Sequence, residues 1–236
     1  MASRTEQPWL DRSMAEYIAA RAPRADEILD ALRSETEALG NVSRMQVSAD
    51  QGALLTLLTA VTGATFAVEV GTFTGYSSIC IARGLAEGGR LLCLDVSEEY
   101  TDTARRAWTR AELDDRIELR LAPAIDTLGA LPADELIDVA FIDADKPNYL
   151  AYYEELIVRL RPNGLLMVDN TLWSGRVLDR FDYDDASAAG ADAPPAGLPD
   201  EDLAAIKQFN DAIAADQRVD SYILPVSDGL TLIRKR

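Results

Sequence analysis

Histidine is missing from all 236 residues. Its absence removes histidine general bases, Ser/His/Asp triads and imidazole-ligated transition metals together, so catalysis here must use carboxylates, lysine, tyrosine, a hard metal ion or a cofactor. Cysteine is nearly absent as well. Cys80 and Cys93 sit inside apolar runs without C-x-x-C spacing, which excludes a disulfide framework or zinc site and leaves two small buried hydrophobes. Basic residues are outnumbered 23 to 40, a net charge of -17 that opposes a broad basic face for DNA or RNA. No apolar run reaches the length of a membrane span, and the opening Met-Ala-Ser-Arg-Thr-Glu-Gln-Pro lacks the apolar core of a signal peptide. The expectation is a cytoplasmic chain with neither nucleic acid nor membrane as partner. With 48% hydrophobic residues and no repeat or linker, residues 1–236 read as a single domain around one large core.

What is present centres on Val68-Glu69-Val70-Gly71-Thr72-Phe73-Thr74-Gly75-Tyr76-Ser77-Ser78-Ile79. Phe66 to Val70 has the β-branched and aromatic content of a buried strand. Gly71 and Gly75 then allow a sharp turn and a close approach to a ligand, and the following helix directs its free N–H groups back at that ligand. A nucleotide-like molecule suits such a turn. The G-x-G-x-x-G dinucleotide fingerprint is not matched, because the middle glycine that makes room for a pyrophosphate is missing. This weakens a nucleotide-dependent oxidoreductase. Glu69, two residues before Gly71, favours a cationic or amino-bearing ligand over a phosphate, and Asp95, closing the run Arg90 to Asp95, is placed to bind both hydroxyls of a ribose. A plain βαβ unit whose acids only cap helices is the alternative.

The N-terminal part, to about residue 45, reads as two helices outside the sheet, Leu10 to Ala20 and Arg24 to Leu39. Ser48-Ala49-Asp50-Gln51 has the form of a capping box, followed by a helix whose buried face is expected from Leu54, Leu55, Leu57, Leu58 and Val61, ending at Gly63. Strand and helix then alternate: a helix from Ser97 to Ala111, strands at Arg116 to Leu121 and Leu136 to Asp143, a helix from Lys146 to Leu160, and a strand from Gly164 to Asp169. This alternation predicts a doubly wound, mostly parallel α/β sheet with the ligand at the carboxyl ends of its strands. Residues 179–199, rich in Asp, Ala, Gly and Pro, read as a long loop on the substrate side. Glu201 to Ala215 resumes a helix, and two β-runs around Ser227-Asp228-Gly229 predict a closing antiparallel hairpin.

A second constellation ends two strands with acids: Phe141-Ile142-Asp143-Ala144-Asp145-Lys146 and Met167-Val168-Asp169-Asn170. Asp143, Asp169 and Asn170 offer an all-oxygen ligand set suited to Mg²⁺, with Ca²⁺ or Mn²⁺ also accommodated. Strand-end aspartates equally serve as caps of the segments that follow.

These two stretches, with Glu69 to Ser77, the continuation Asp169-Asn170-Thr171-Leu172-Trp173-Ser174-Gly175 and the closing Leu224 to Leu232, closely resemble the cation-dependent O-methyltransferases, the group of caffeoyl-CoA and catechol O-methyltransferases. The likeness runs from about Val47 to the C-terminus. It implies a Rossmann-like class I methyltransferase fold, a seven-stranded sheet with an antiparallel C-terminal strand, that binds S-adenosylmethionine. By position, Val47, Glu69, Gly71, Thr72 and Ser77 would hold the methionine part, Asp95 the ribose, and Ala124 the adenine side. Asp143, Asp169 and Asn170 would be metal ligands, Asp143 also adjoining the cofactor, and Lys146 would be the catalytic lysine working with Asp143. The implied acceptor is a small catechol-type aromatic and the implied assembly a homodimer; Trp173, just past the ligand pair, reads either as an apolar wall for that ring or as an ordinary packing residue. A non-catalytic S-adenosylmethionine-binding module would keep the fold and lose the metal dependence. The 179–199 loop and the N-terminal helices depart most from the family, which leaves the acceptor's identity open.

Overall fold

The computed structural model describes residues 12–21, 25–132, 136–178 and 200–236, so the 179–199 loop lies outside the described residues. Its seven strands are β1 (Phe66–Val70), β2 (Arg90–Asp95), β3 (Ile117–Leu121), β4 (Ile137–Ile142), β5 (Leu160–Val168), β6 (Val219–Leu224) and β7 (Leu230–Lys235). They lie in one sheet in the order β3-β2-β1-β4-β5-β7-β6. The first five pair in parallel, and β7 runs antiparallel to both β5 and β6. This is the doubly wound sheet with an antiparallel closing strand that the pattern predicts. After β3 the chain returns past β1 to β4, so the order reverses between β1 and β4 and opens a crevice at their carboxyl ends.

Helices cover both faces: α1 (Arg12–Ala19), α2 (Glu27–Glu37), α3 (Ala49–Thr62), α4 (Tyr76–Gly84), α5 (Glu98–Arg110), α6 (Ala124–Ala130), α7 (Tyr149–Arg159) and α8 (Asp200–Ala215). Alternate strand residues feed two separate cores. Val68, Val70, Leu92 and Ile142 pack with Leu128, Leu156 and Phe209 on one side. Ala67, Leu91, Cys93 and Phe141 pack with Leu55, Ile79 and Ala104 on the other. A strand buried on both faces reads as one continuous apolar run, which is why β1 and β2 are so plain in the sequence. Both cysteines are free and buried. Among the described residues no helix is long and apolar enough to cross a membrane.

Two expectations for α3 are corrected. Leu57 and Val61 are 59% and 71% exposed, so the apolar stripe is narrower than the count of leucines suggests. Leu55 and Thr59 take the inner face, and Gly52 brings the helix against α4, where an added Cβ would lie 2.8 Å from the Tyr76 ring. The capping box is only half formed. Ser48 accepts from the Gln51 backbone N–H at 3.4 Å, while the Gln51 amide leaves the cap altogether.

At the opposite end of the sheet, Asp138 anchors the start of β1. Its Oδ2 accepts from the N–H groups of Thr65 and Phe66 at 2.7 and 2.9 Å, and its Oδ1 from Arg161 Nε at 2.6 Å. Burial works to raise its pKa, but the hydrogen bonds from Phe66, Thr65 and Arg161 outweigh it and leave the carboxyl below its usual value. A depressed folded pKa gives stability that is present above the unfolded carboxylate value and lost as pH falls through the folded one. Asp138→Ala should therefore cost about 1–3 kcal/mol at neutral pH, with a smaller difference from the parent below about pH 3, as urea denaturation at both pH values would read.

Candidate functional site

The sheet's hydrogen-bond ladder runs one residue beyond the strands and so fixes the site. Gly71 N–H donates to Leu94 O at 2.9 Å, Asp143 N–H to Val70 O at 2.9 Å, and Asp169 N–H to Ile142 O at 3.0 Å. Gly71, Asp143 and Asp169 thus stand abreast where β1, β4 and β5 end. They border a cavity of about 1040 Å³ that is also lined by Val47, Thr72, Ser77, Asp95, Ala124, Lys146, Asn170 and Trp173. Of the residues expected at the site, Glu69 alone is absent from this lining.

Glu69 instead points into the α3–α5 face of the sheet and is fully buried. Its Oε2 accepts from Ser78 Oγ at 2.5 Å and from Cys93 Sγ at 3.3 Å, and its Oε1 has no partner. Burial, opposed by the hydrogen bond from Ser78, pushes its pKa up to about 7. Glu69 lies behind the glycine turn.

The turn itself is held by Asp95, whose Oδ2 accepts from the N–H groups of Thr72 and Phe73 at 2.8 and 2.9 Å. Its Oδ1 accepts from Val96 and Ser97 N–H at 2.7 and 2.8 Å, so four backbone donors orient one carboxylate. The carboxylate itself borders the cavity beside the turn that it holds. Phe73 and Tyr100 make an edge-to-face pair beside it with centroids 4.9 Å apart, and Ala124 opens α6 from the same wall. The tight fit of Gly71, at φ +89°, is the turn's most constrained point, since a Cβ there would meet Asp143 O at 2.1 Å.

Across the cavity, Lys146 is buried with all three ammonium protons engaged. Nζ donates to Tyr149 Oη at 2.6 Å, Asn170 Oδ1 at 2.7 Å and Asp143 Oδ1 at 3.2 Å. Burial first, then the charges of Asp143 and Asp169, hold the Tyr149 phenol well above its ordinary pKa. It stays protonated and donates to Asp169 O at 3.1 Å. Asp169 accepts from Asn170 N–H on Oδ1 and from Gln51 Nε2 on Oδ2, each at 2.7 Å. Its own pKa is raised to about 7 by burial and by the like charge of Asp143. Asn170, Trp173 and Ser174 all have positive φ, of 58°, 48° and 51°. Such backbone conformations cost energy in non-glycine residues and collect at functional sites.

Among the described residues no group of three or more His, Cys, Asp or Glu side chains is arranged to hold a metal. The chemistry of Asp143, Asp169 and Asn170 nevertheless fits a hard divalent ion: two carboxylates and an amide oxygen, with water completing the shell. Burial and the like charge of Asp143 raise the Asp169 pKa, and a bound cation would offset that repulsion. Pattern reading does not reveal Gln51 or Tyr149. Gln51 is disguised as a capping-box residue, and Tyr149 carries only one signal, its place three residues after Lys146.

The sequence profile of the O-methyltransferase family matches residues 19–236. A caffeoyl-CoA O-methyltransferase 2 of Zea mays is 37% identical over 217 residues, covering 90% of this chain and 78% of the relative. A probable caffeoyl-CoA O-methyltransferase 2 of Dictyostelium discoideum is 37% identical over 200 residues, 83% of this chain and 80% of the relative. Among solved structures, an O-methyltransferase from Bacillus cereus in complex with SAH superposes with a TM-score of 0.80 at 32% identity, covering 95% of this chain and 97% of that one.

Proposed function

Since the chain belongs to the O-methyltransferase family, we propose that it moves a methyl group from S-adenosylmethionine to one hydroxyl of an ortho-dihydroxy aromatic small molecule, assisted by Mg²⁺ or a similar cation. The observation that carries this reading is the convergence on one cavity of the Gly71 turn, Asp95, Lys146 and the oxygen set Asp143, Asp169 and Asn170. The bound SAH of the Bacillus cereus structure supports the cofactor, and the caffeoyl-CoA relatives support an aromatic acceptor.

In this reading the Gly71 to Ser77 turn and Val47 hold the methionine part of the cofactor, with Glu69 behind the turn fixing Ser78. Asp95 takes the ribose hydroxyls and Ala124 flanks the adenine. Asp143, Asp169 and Asn170 would hold the cation, which supplies positive charge that lowers the pKa of an acceptor hydroxyl while the cofactor supplies the methyl group. Lys146, working beside Asp143, would take the hydroxyl's proton as the neutral amine and orient the resulting oxygen as the ammonium. Trp173, 7% exposed, gives the acceptor ring an apolar wall and excludes water. Holding donor and acceptor in near-attack geometry supplies much of the rate. A homodimer in the cytoplasm completes the reading.

The deciding experiment measures methyl transfer from S-adenosylmethionine to caffeate, its CoA ester and simple flavonoids, with Mg²⁺ or with EDTA. Product that forms with Mg²⁺ and disappears with EDTA is expected. Turnover unchanged by EDTA would remove the cation from the reading, and cofactor binding without turnover on any catechol would remove the acceptor class.

A further inference from the structure

We propose that Gln51 is a positioning residue that sets the orientation of the Asp169 carboxylate for a divalent cation, an inference that rests on reading Asp143, Asp169 and Asn170 as its ligands. Local sequence would send the Gln51 amide back to the Ser48 N–H, closing a capping box at the start of α3. It crosses instead to Asp169 Oδ2 at 2.7 Å, a contact between residues 118 apart in the chain. Gln51 is 1% and Asp169 3% exposed, so bulk water cannot replace either partner.

The other carboxylate oxygen, Oδ1, accepts from the Asn170 N–H at 2.7 Å. A carboxylate otherwise turns through a broad torsional well. Here one fixed donor on each oxygen sets its plane, and each oxygen keeps lone-pair capacity for a ligand. The donor is also neutral. Lysine or arginine in its place would hold Asp169 equally well but would add a competing positive charge, whereas an amide leaves the full negative charge for the cation.

The helix that carries Gln51 is itself fixed. Ser48 Oγ lies 2.8 Å from Ser227 Oγ on the turn before β7, and Gly52 seats the next residue against Tyr76 and Cys80, where a Cβ would come within 2.8 and 2.9 Å. Gln51 therefore joins a rigid α3 to the end of β5. Partners of metal ligands that act in this way typically contribute roughly 10–100-fold to metal affinity.

The test uses the full chain and the variants Gln51→Met, which keeps length and loses the donor, and Gln51→Ala. Mg²⁺ binding is measured by calorimetry and Mn²⁺ binding by electron paramagnetic resonance, both without acceptor, alongside S-adenosylmethionine affinity and the melting temperature. The expected result is roughly 10–100-fold weaker binding of both ions in both variants, with S-adenosylmethionine affinity within about two-fold of the parent. Variants that bind the ions as tightly as the parent would remove the role of Gln51 alone. Variants that lose cofactor affinity and metal affinity together, with a large fall in melting temperature, would make Gln51 a packing residue and overturn the proposal. A parent that binds neither ion would remove the ligand reading itself, and the proposal with it.

Discussion

Asp169→Ala is expected to reduce methyl transfer by at least about 10³-fold while leaving S-adenosylmethionine binding within about three-fold of the parent. The asymmetry follows from where the residue sits. Asp169 directly follows β5, on the far side of Asp143 from the Gly71 turn, and its oxygens face Gln51 and Asn170 rather than the turn or Asp95. Loss of a carboxylate from a set of two acids and an amide removes most of the attraction for a divalent ion, and charge stabilisation worth several kcal/mol converts to three decades or more in rate. The substitution also leaves the Gln51 amide buried without its acceptor, at about 1–3 kcal/mol. A lower melting temperature is therefore expected, and the retained cofactor affinity is what separates a chemical defect from a folding one. Activity equal to the parent's would sink the assignment of Asp169 as a ligand.

The contrast between Asp169 and Gln51 shows what is legible in such a sequence. Asp143 and Asp169 announce themselves because each follows an apolar strand run, and topology alone sends such residues to the ligand end of a parallel sheet. The bounds of β1 and β2 follow directly from their apolar runs. β5 begins at Leu160 rather than Gly164, because Pro162 and Asn163 look like a turn while the pairing of Leu160 with Ile137 draws them into the strand. α6 spans only Ala124–Ala130, too short for a helical period to stand out. Gln51 is harder still. Its local signature as a capping residue is real, and the backbone half of that cap forms, but a buried carboxylate from another part of the chain competes for the side chain and wins. A buried charge-assisted bond outweighs a half-buried cap bond between neutral groups. Glu69 shows the reverse case: the alternation of a strand points its side chain away from the cavity, although its neighbours Val70 and Gly71 line it.

Gly71→Ala should be the most damaging small substitution at the cofactor side, with S-adenosylmethionine affinity falling by about 100-fold or more and stability by about 3 kcal/mol. Two costs combine. The residue has φ +89°, a region that alanine enters only with strain, and the added Cβ would lie 2.1 Å from Asp143 O and 2.7 Å from its carbonyl carbon. Both atoms belong to the backbone, so no side chain can swing aside. Relief requires the β1 turn and the β4 end to separate, which breaks the Asp143 N–H to Val70 O bond at 2.9 Å and moves the Thr72 and Phe73 N–H groups off Asp95. The cofactor turn and the candidate metal ligand Asp143 would be displaced by the same event. Cofactor and Mg²⁺ affinity should therefore fall together in this variant, unlike in Asp169→Ala. Gly129→Ala is the matching control: it lies within α6 with no atom within 4 Å of the added Cβ, and alanine there should stabilise the fold by about 0.5–1 kcal/mol with cofactor affinity unchanged. Calorimetric titration of both ligands into the two variants would read the difference, and a Gly71→Ala protein that binds S-adenosylmethionine like the parent would show that the turn is not the cofactor's seat.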